Sequence, residues 1–220
     1  MSDVSENVRR LRKLDACAVS DALDRLKLGS VIGGVPLQSG QGRIAGRVVT
    51  VKLGVGAPPA GKPRHLGTTA VEASGPDDVI VVEQRSGIDC GSWGGLLSLG
   101  ASLRNVAGVL CDGPLRDVDE ARALNFPIFA RKLTARTGRG RVVELGTNVP
   151  IQFESATVNP GDYALADSSA VIFIATADIA RVLEAAEEIA AKEAAMADAL
   201  RRGEPISQVM GGNYERMISN

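Results

Sequence analysis

Histidine is all but missing from this chain of 220 residues: His65 is the only one. That absence removes the HExxH zinc site and any His-rich metal cage. A Ser-His-Asp triad would have to rest wholly on His65, and no GxSxG elbow presents a serine for it. Hydrolase readings are correspondingly weak. Cysteine is scarce as well: Cys17, Cys90 and Cys111 show no CxxC or CxxH spacing and sit beside apolar or small residues. They are expected to be reduced and buried, as in a cytoplasmic protein. Excess charge of either sign is also lacking, with 25 Lys and Arg against 26 Asp and Glu, intermixed, for a net charge of −1. Neither a nucleic-acid footprint nor a polybasic membrane surface is expected. No apolar run approaches the roughly 20 residues that a membrane span needs, and the opening stretch MSDVSENVRRLRKL has no apolar signal core. The expectation is a soluble, cytoplasmic protein.

What is present is 45% hydrophobic content over a length that suits one domain with a real core. The chain reads as N-terminal helices over residues 1–32, a β-rich core over 33–175, a C-terminal helix over 176–203 and a tail over 204–220. Its centre is the stretch WGGLLSLGASLRNVAGVLCDGPLRDVDE from Trp93 to Glu120. A glycine pair opens an apolar helix, a strand follows from Val106 to Cys111, and a glycine turn at Asp112-Gly113-Pro114 delivers Arg116, Asp117 and Glu120. In a βαβα arrangement both helix starts lie at the same sheet edge. The N–H groups of Gly94, Gly95, Leu96 and Leu97, free at a helix start and unobstructed by a Cβ at either glycine, would receive an anionic oxygen. Asp117 and Glu120, three apart at the next helix start, put two hard oxygen donors on one face, which suits Mg²⁺ or Mn²⁺. Arg116 would grip a substrate carboxylate bidentately. A small 2-oxo acid fits this description.

Gly95, twenty intervening residues, Arg116-Asp117, two more and then Glu120 resemble the signature of the RraA-like family. Other matching pieces are VSDAL at Val19 to Leu23, the strand Asp78 to Glu83, NFPIFAR at Asn125 to Arg131, PGDY at Pro160 to Tyr163 and KEAAM at Lys192 to Met196. The likeness runs from about Val19 to Gly203. It implies a swivelling β/β/α fold and two kinds of relative. One is metal-dependent aldolases and decarboxylases, acting on 4-hydroxy-4-methyl-2-oxoglutarate and oxaloacetate; the other is noncatalytic regulators of a ribonuclease. For the enzymes it implies Asp117 as the direct metal ligand, Glu120 orienting water or ligating, and trimers or pairs of trimers with sites between subunits. Some of these aldolases carry an acid where this chain has Gly95, so metal binding here leans on Glu120. In related aldolases an acid on a neighbouring subunit's C-terminal helix helps hold the metal's water, and Glu193 is the matching position. A methyltransferase reading fails, because no Gly-rich cofactor loop follows a first strand and no acidic ribose partner follows it.

In chain order, Ser5 to Leu14 and Ser20 to Leu28 read as short helices, with Ser20 as N-cap of the second. Ile44 to Leu53 alternates as a strand. In the loop from Gly54 to Gly67, Gly56-x4-Gly61-Lys62 nearly spells a phosphate-binding loop. Pro63 stands where a Ser or Thr would hold Mg²⁺, and Pro58 and Pro59 remove two donors, so nucleotide binding is rejected. His65, beside Lys62 and Arg64, reads first as an incidental loop residue and second as part of a lid over a bound acid.

The strands Val79 to Glu83, Val106 to Cys111 and Ile128 to Ala130 alternate with helices, giving a parallel βαβαβ core. From Arg141 to Ile174 short strands separated by turn residues suit an antiparallel second sheet. A β/β/α layered domain results. Asp162 and Asp167 read as turn-forming acids. The long last helix, capped by Thr176 and stopped by Gly203, carries an apolar stripe on which Glu193 falls, and a carboxylate on a packing face needs a partner. Pairing with a surface Arg is the plainer alternative to a role at a metal.

Overall fold

The structure, a computed structural model, describes residues 3–57, 60 and 64–211. The residues that prompted the phosphate-loop comparison, 58, 59 and 61–63, lie outside the described residues, as do 212–220 of the tail.

Four parallel strands make the centre: β3 (Ile44–Gly54), β4 (Asp78–Gln84), β5 (Gly108–Leu115) and β6 (Ile128–Leu133), adjacent in that order. Every residue of β4 and β5 is buried, as expected of parallel strands covered on both faces. Between them run α3 (Thr68–Ala73), α4 (Gly95–Leu103) and α5 (Val118–Ala123), all on one face. There Val49, Val51, Ile80, Val82, Val109 and Cys111 meet Val71, Leu97, Ala101 and Ala121. The alternate residues Val48, Val79, Val81, Leu110 and Phe129 point the other way, onto Ile151, Phe153, Ala156 and Val158. Those belong to a separate hairpin, β8 (Ile151–Phe153) with β9 (Ala156–Val158). The period of two along each strand thus produces the three layers, hairpin, sheet and helices.

The remaining strands, β1 (Val31–Ile32), β2 (Leu37–Ser39), β7 (Val143–Thr147), β10 (Tyr163–Ala166) and β11 (Val171–Ile174), all join the large sheet as antiparallel neighbours. Of the short strands between Arg141 and Ile174, only β8 and β9 therefore form the antiparallel second sheet. Tyr163–Ala166 and Val171–Ile174 are buried at every position, so both their faces need cover, which a place within the main sheet supplies. Their helix-side residues Tyr163, Leu165, Ile172 and Ile174 pack under α1 (Asp3–Leu11), α2 (Ala16–Arg25) and the long α6 (Ile179–Arg201). A short α7 (Ile206–Val209) follows. No helix among the described residues is long and apolar enough to cross a membrane.

Several local expectations change. The second helix starts at Ala16, because Asp15 caps it by accepting from Ala18 N at 2.8 Å, and Ser20 lies inside it. Asp112-Gly113-Pro114 is strand and not turn: a bulge between Cys111 and Pro114 absorbs the proline's missing donor. Thr176 does not cap α6; its hydroxyl donates to Gly161 O, and Asp178 holds the cap position. Cys17 is exposed, whereas Cys90 and Cys111 are buried. Asp162 serves its turn as expected, accepting from Asn159 N at 2.8 Å and Thr176 N at 3.2 Å.

Candidate active site

The parallel strands end at one edge of the sheet, and the loops after β4 and β5 are stitched together there. Ser92 donates to Pro114 O through both its N–H and its hydroxyl, each at 2.8 Å, and Arg116 N donates to Trp93 O at 3.1 Å. Trp93 is buried, its indole N–H donating to Ser98 Oγ at 3.1 Å, while Ser98 donates on to Gly94 O at 3.0 Å. These bonds set the start of α4 against the Arg116-Asp117 pair, at the carboxyl ends where α/β sheets bind ligands. A cavity of about 160 Å³ opens between them.

Of the residues expected to form a site, Arg116, Asp117, Gly94, Gly95, Leu96 and Leu97 all line this cavity. Asp117 takes a left-handed backbone, φ 56° and ψ 37°, a conformation that costs a non-glycine residue about 1 kcal/mol or more. Its Oδ2 accepts from Gly95 N at 3.1 Å and from Arg116 Nε at 3.1 Å. One of the four N–H groups offered by α4 is thus already engaged. Those of Leu96 and Leu97 lie in the first helical turn, where no intrahelical acceptor reaches them. Arg116 lies over Gly91, where a Cβ would stand 2.7 Å from Arg116 Cγ.

Glu120 is exposed and does not line the cavity. Its carboxylate lies beside Gly95, so that a Cβ on residue 95 would land on Glu120 Oε2, with Asp117 Cβ 3.2 Å away. Glu120 therefore fills the place that a side chain at 95 would take. Glu193 stands elsewhere, on α6 facing α2. Burial first, then the charges of Asp15 and Asp21, push its carboxyl above the usual carboxylate range.

Among the described residues no group of three or more His, Cys, Asp or Glu side chains is arranged to hold a metal ion. The pair that flanks Gly95 consists of hard oxygen donors. Such a pair suits Mg²⁺, which keeps several waters and binds through one or two carboxylates. The donor set fits a hydrated divalent cation and is wrong for a closed thiolate or imidazole site. The two buried thiols are poor nucleophiles: burial pushes Cys111 up to about 12 and raises Cys90 as well.

The reading of residue types missed one wall of the cavity. Thr137, Gly138 and Arg139 line it, from the loop after β6, and His65 lines it too. The run TARTGRGR from Thr134 to Arg141 was the available signal: three arginines and two glycines just beyond a parallel strand. Gly91 N donates to Arg136 O at 2.9 Å, which docks this loop against the Arg116 side.

A family model described as RraA-like, Aldolase/RraA, matches residues 16–173. Protein DlpA of Legionella pneumophila is 28% identical over 209 residues, 94% of this chain, and the chain spans only 34% of that protein's length. A Halalkalibacterium halodurans protein provisionally named 4-hydroxy-4-methyl-2-oxoglutarate aldolase is 31% identical over 186 residues, 82% of each chain. Among solved structures, an uncharacterized Pseudomonas syringae pv. tomato protein superposes with a TM-score of 0.83 at 23% identity, covering 96% of this chain and 100% of its own. Streptomyces coelicolor RraAS2, described as an unusual member of the RNase ES inhibitor RraA protein family, gives 0.71 at 21% identity, covering 83% and 91%. At these identities the structural likeness carries the fold alone.

Proposed function

The chain belongs to the RraA-like family, and from that membership and the charges around its cavity we propose that it is a carbon-carbon lyase dependent on a divalent cation. In this reading it cleaves 4-hydroxy-2-oxo diacids of the 4-hydroxy-4-methyl-2-oxoglutarate type, or decarboxylates oxaloacetate, and releases pyruvate. The observation that carries the reading is the Arg116-Asp117 pair facing the first turn of α4 in one cavity.

Asp117 and Glu120 would hold Mg²⁺ or Mn²⁺. When bound, the cation supplies a Lewis acid for the substrate's keto oxygen and for the charge that develops as the C–C bond breaks. Arg116 binds the carboxylate next to the keto group. The N–H groups of Leu96 and Leu97, aided by the helix dipole, take an anionic oxygen and stabilise the enolate of pyruvate. Among the described residues no lysine lines the cavity, in keeping with a route without a Schiff base. Glu193 is proposed to act in trans: it has no ion-pair partner among the described residues, and a homotrimer or hexamer would carry it to a neighbour's site. The alternative, a noncatalytic ribonuclease regulator, has no use for the Asp117 carboxylate in a cavity at a helix start with Glu120 beside it.

The test is pyruvate release from oxaloacetate and from 4-hydroxy-4-methyl-2-oxoglutarate, with Mg²⁺ and with chelator. Turnover is expected to need the cation and to fall at least about a hundredfold in Asp117→Ala, as for loss of a Lewis acid. Turnover indifferent to chelator overturns the reading.

A further inference from the structure

We propose that Arg139 reads a second carboxylate on the substrate and tunes the site toward 2-oxo diacids whose distal carboxylate survives the reaction. This rests on the lyase reading above and deepens it.

The loop from Thr134 to Val142 carries three arginines, and two are committed. Arg136 pairs with Asp89 at 2.9 Å, and Arg141 donates from Nη1 to Thr137 O at 3.0 Å. Within the cavity itself Arg116 is engaged by Asp117. Arg139 lines the same cavity and is exposed, and its side chain makes no hydrogen bond or ion pair among the described residues, its backbone N–H alone donating, to Thr137 Oγ1 at 3.2 Å. An arginine whose side chain is uncommitted among the described residues thus stands on a wall formed by a different segment from the one bearing Asp117.

Its placement is not left to a loose loop. Arg141 N and Val142 N both donate to Gly138 O, at 2.9 and 3.0 Å, closing a turn around it. The backbone at Gly138 also presses on Gly91, where a Cβ on residue 138 would stand 2.7 Å from Gly91 O. Gly91 is the residue over which the Arg116 stem lies, so the backbone that carries Arg139 is held against the segment over which Arg116 lies. Asp117 engages Arg116 through Nε alone, which leaves the Nη groups of Arg116 for one carboxylate and Arg139 for the other end of a dianion.

The chemistry of the two candidate reactions makes this placement consequential. In retro-aldol cleavage the C3–C4 bond breaks and its electron pair passes to C3 as the enolate of pyruvate. The C4 hydroxyl loses its proton to water, C4 leaves as the carbonyl of a second oxo acid, and a proton then returns to C3. The distal carboxylate stays charged throughout, so a guanidinium on it holds ground state and transition state alike. In decarboxylation of oxaloacetate the distal carboxylate itself becomes CO₂ and surrenders its charge to C3. A guanidinium there stabilises the starting state more than the transition state and slows the step. Arg139 therefore favours the aldol substrate and restrains the decarboxylase activity.

The experiment compares the Mg²⁺-loaded wild type with Arg139→Gln and Arg139→Lys on 4-hydroxy-2-oxoglutarate and 4-hydroxy-2-oxopentanoate, which differ by a carboxylate against a methyl group. The wild type is expected to prefer the diacid. Arg139→Gln should cut that preference, as a ratio of kcat/KM values, by about ten- to a hundredfold and mainly through KM, the size expected for a charged hydrogen-bonded contact. Arg139→Lys should restore part of it, and kcat on oxaloacetate should rise in Arg139→Gln. An active wild type whose preference is the same in Arg139→Gln overturns the assignment of Arg139 and leaves the lyase reading standing. A wild type inactive on all three compounds overturns both.

Discussion

Gly91 leaves no room for a methyl group beside Arg116. A Cβ there would press on Arg116 Cγ and Cδ at 2.7 and 2.8 Å, and the stem is pinned because its guanidinium is tied to Asp117. Gly91→Ala is expected to leave the fold intact but push Arg116 off line, lowering kcat/KM by about a hundredfold, as a displacement near 1 Å can. Circular dichroism and steady-state kinetics on one preparation check both halves. Gly95→Ala should behave differently. Its Cβ meets chiefly the far end of Glu120, an exposed side chain free to swing, and stands 3.2 Å from Asp117 Cβ. The protein should fold normally, and the loss should appear in Mg²⁺ affinity by titration calorimetry. At this scale the sequence was informative where geometry is local: Asp117 and Glu120 are three apart, so one helix start puts both beside Gly95. Arg139 and Ser92 escaped notice because their roles arise from contacts between loops that no spacing encodes. The engagement of Gly95 N by Asp117 was hidden for the same reason.

At the scale of elements, competition between capping residues decides where α2 begins. Asp15 and Ser20 both have cap chemistry, yet the stripe Ala16, Val19, Ala22 and Leu23 is buried as one face, which requires the helix to be under way before Ser20. Asp15→Ala is expected to cost about 1 kcal/mol and Ser20→Ala much less, a contrast that urea unfolding resolves. The tie between α1 and α6 is ionic. Arg10 donates to Glu187 from Nε and Nη2 at 2.8 and 2.7 Å, and this hydrogen bonding holds the Glu187 carboxyl below its ordinary value of 4.5. A depressed carboxyl contributes stability that is complete above the unfolded value and disappears as pH falls through the folded one. Arg10→Met should therefore lower Tm at pH 7, and the difference should fade as pH falls through the range in which the folded carboxyl takes up its proton. The pair is partly exposed, so the difference should be modest and should shrink in high salt. Thermal melts across that range check the sign.

For the whole molecule, the parallel centre was legible because β4 and β5 are apolar runs separated by helices of ordinary length. The allegiance of the later strands was not. Short apolar strands fit a second sheet or the edge of the first, and only the two-sided burial of β10 and β11 separates the two. The same accounting of covered faces bears on assembly. In α6 the last buried residue is Ile189, and the helix continues to Arg201 with Leu200 38% exposed. On α4, Leu96 at the cavity is 85% exposed, and Leu103 at the far end of the helix is 75% exposed. A helix end of this length without cover, and an apolar stripe beside a site, are surfaces that association would remove from water. Gel filtration with light scattering is expected to give three or six times the 22.9 kDa chain mass. Leu200→Glu should shift the population toward smaller species and reduce turnover with it, if Glu193 of one chain serves the cavity of the next. A wild type that runs as a monomer at micromolar concentration while retaining full turnover would remove Glu193 from the site and leave Asp117 and Glu120 as its carboxylates.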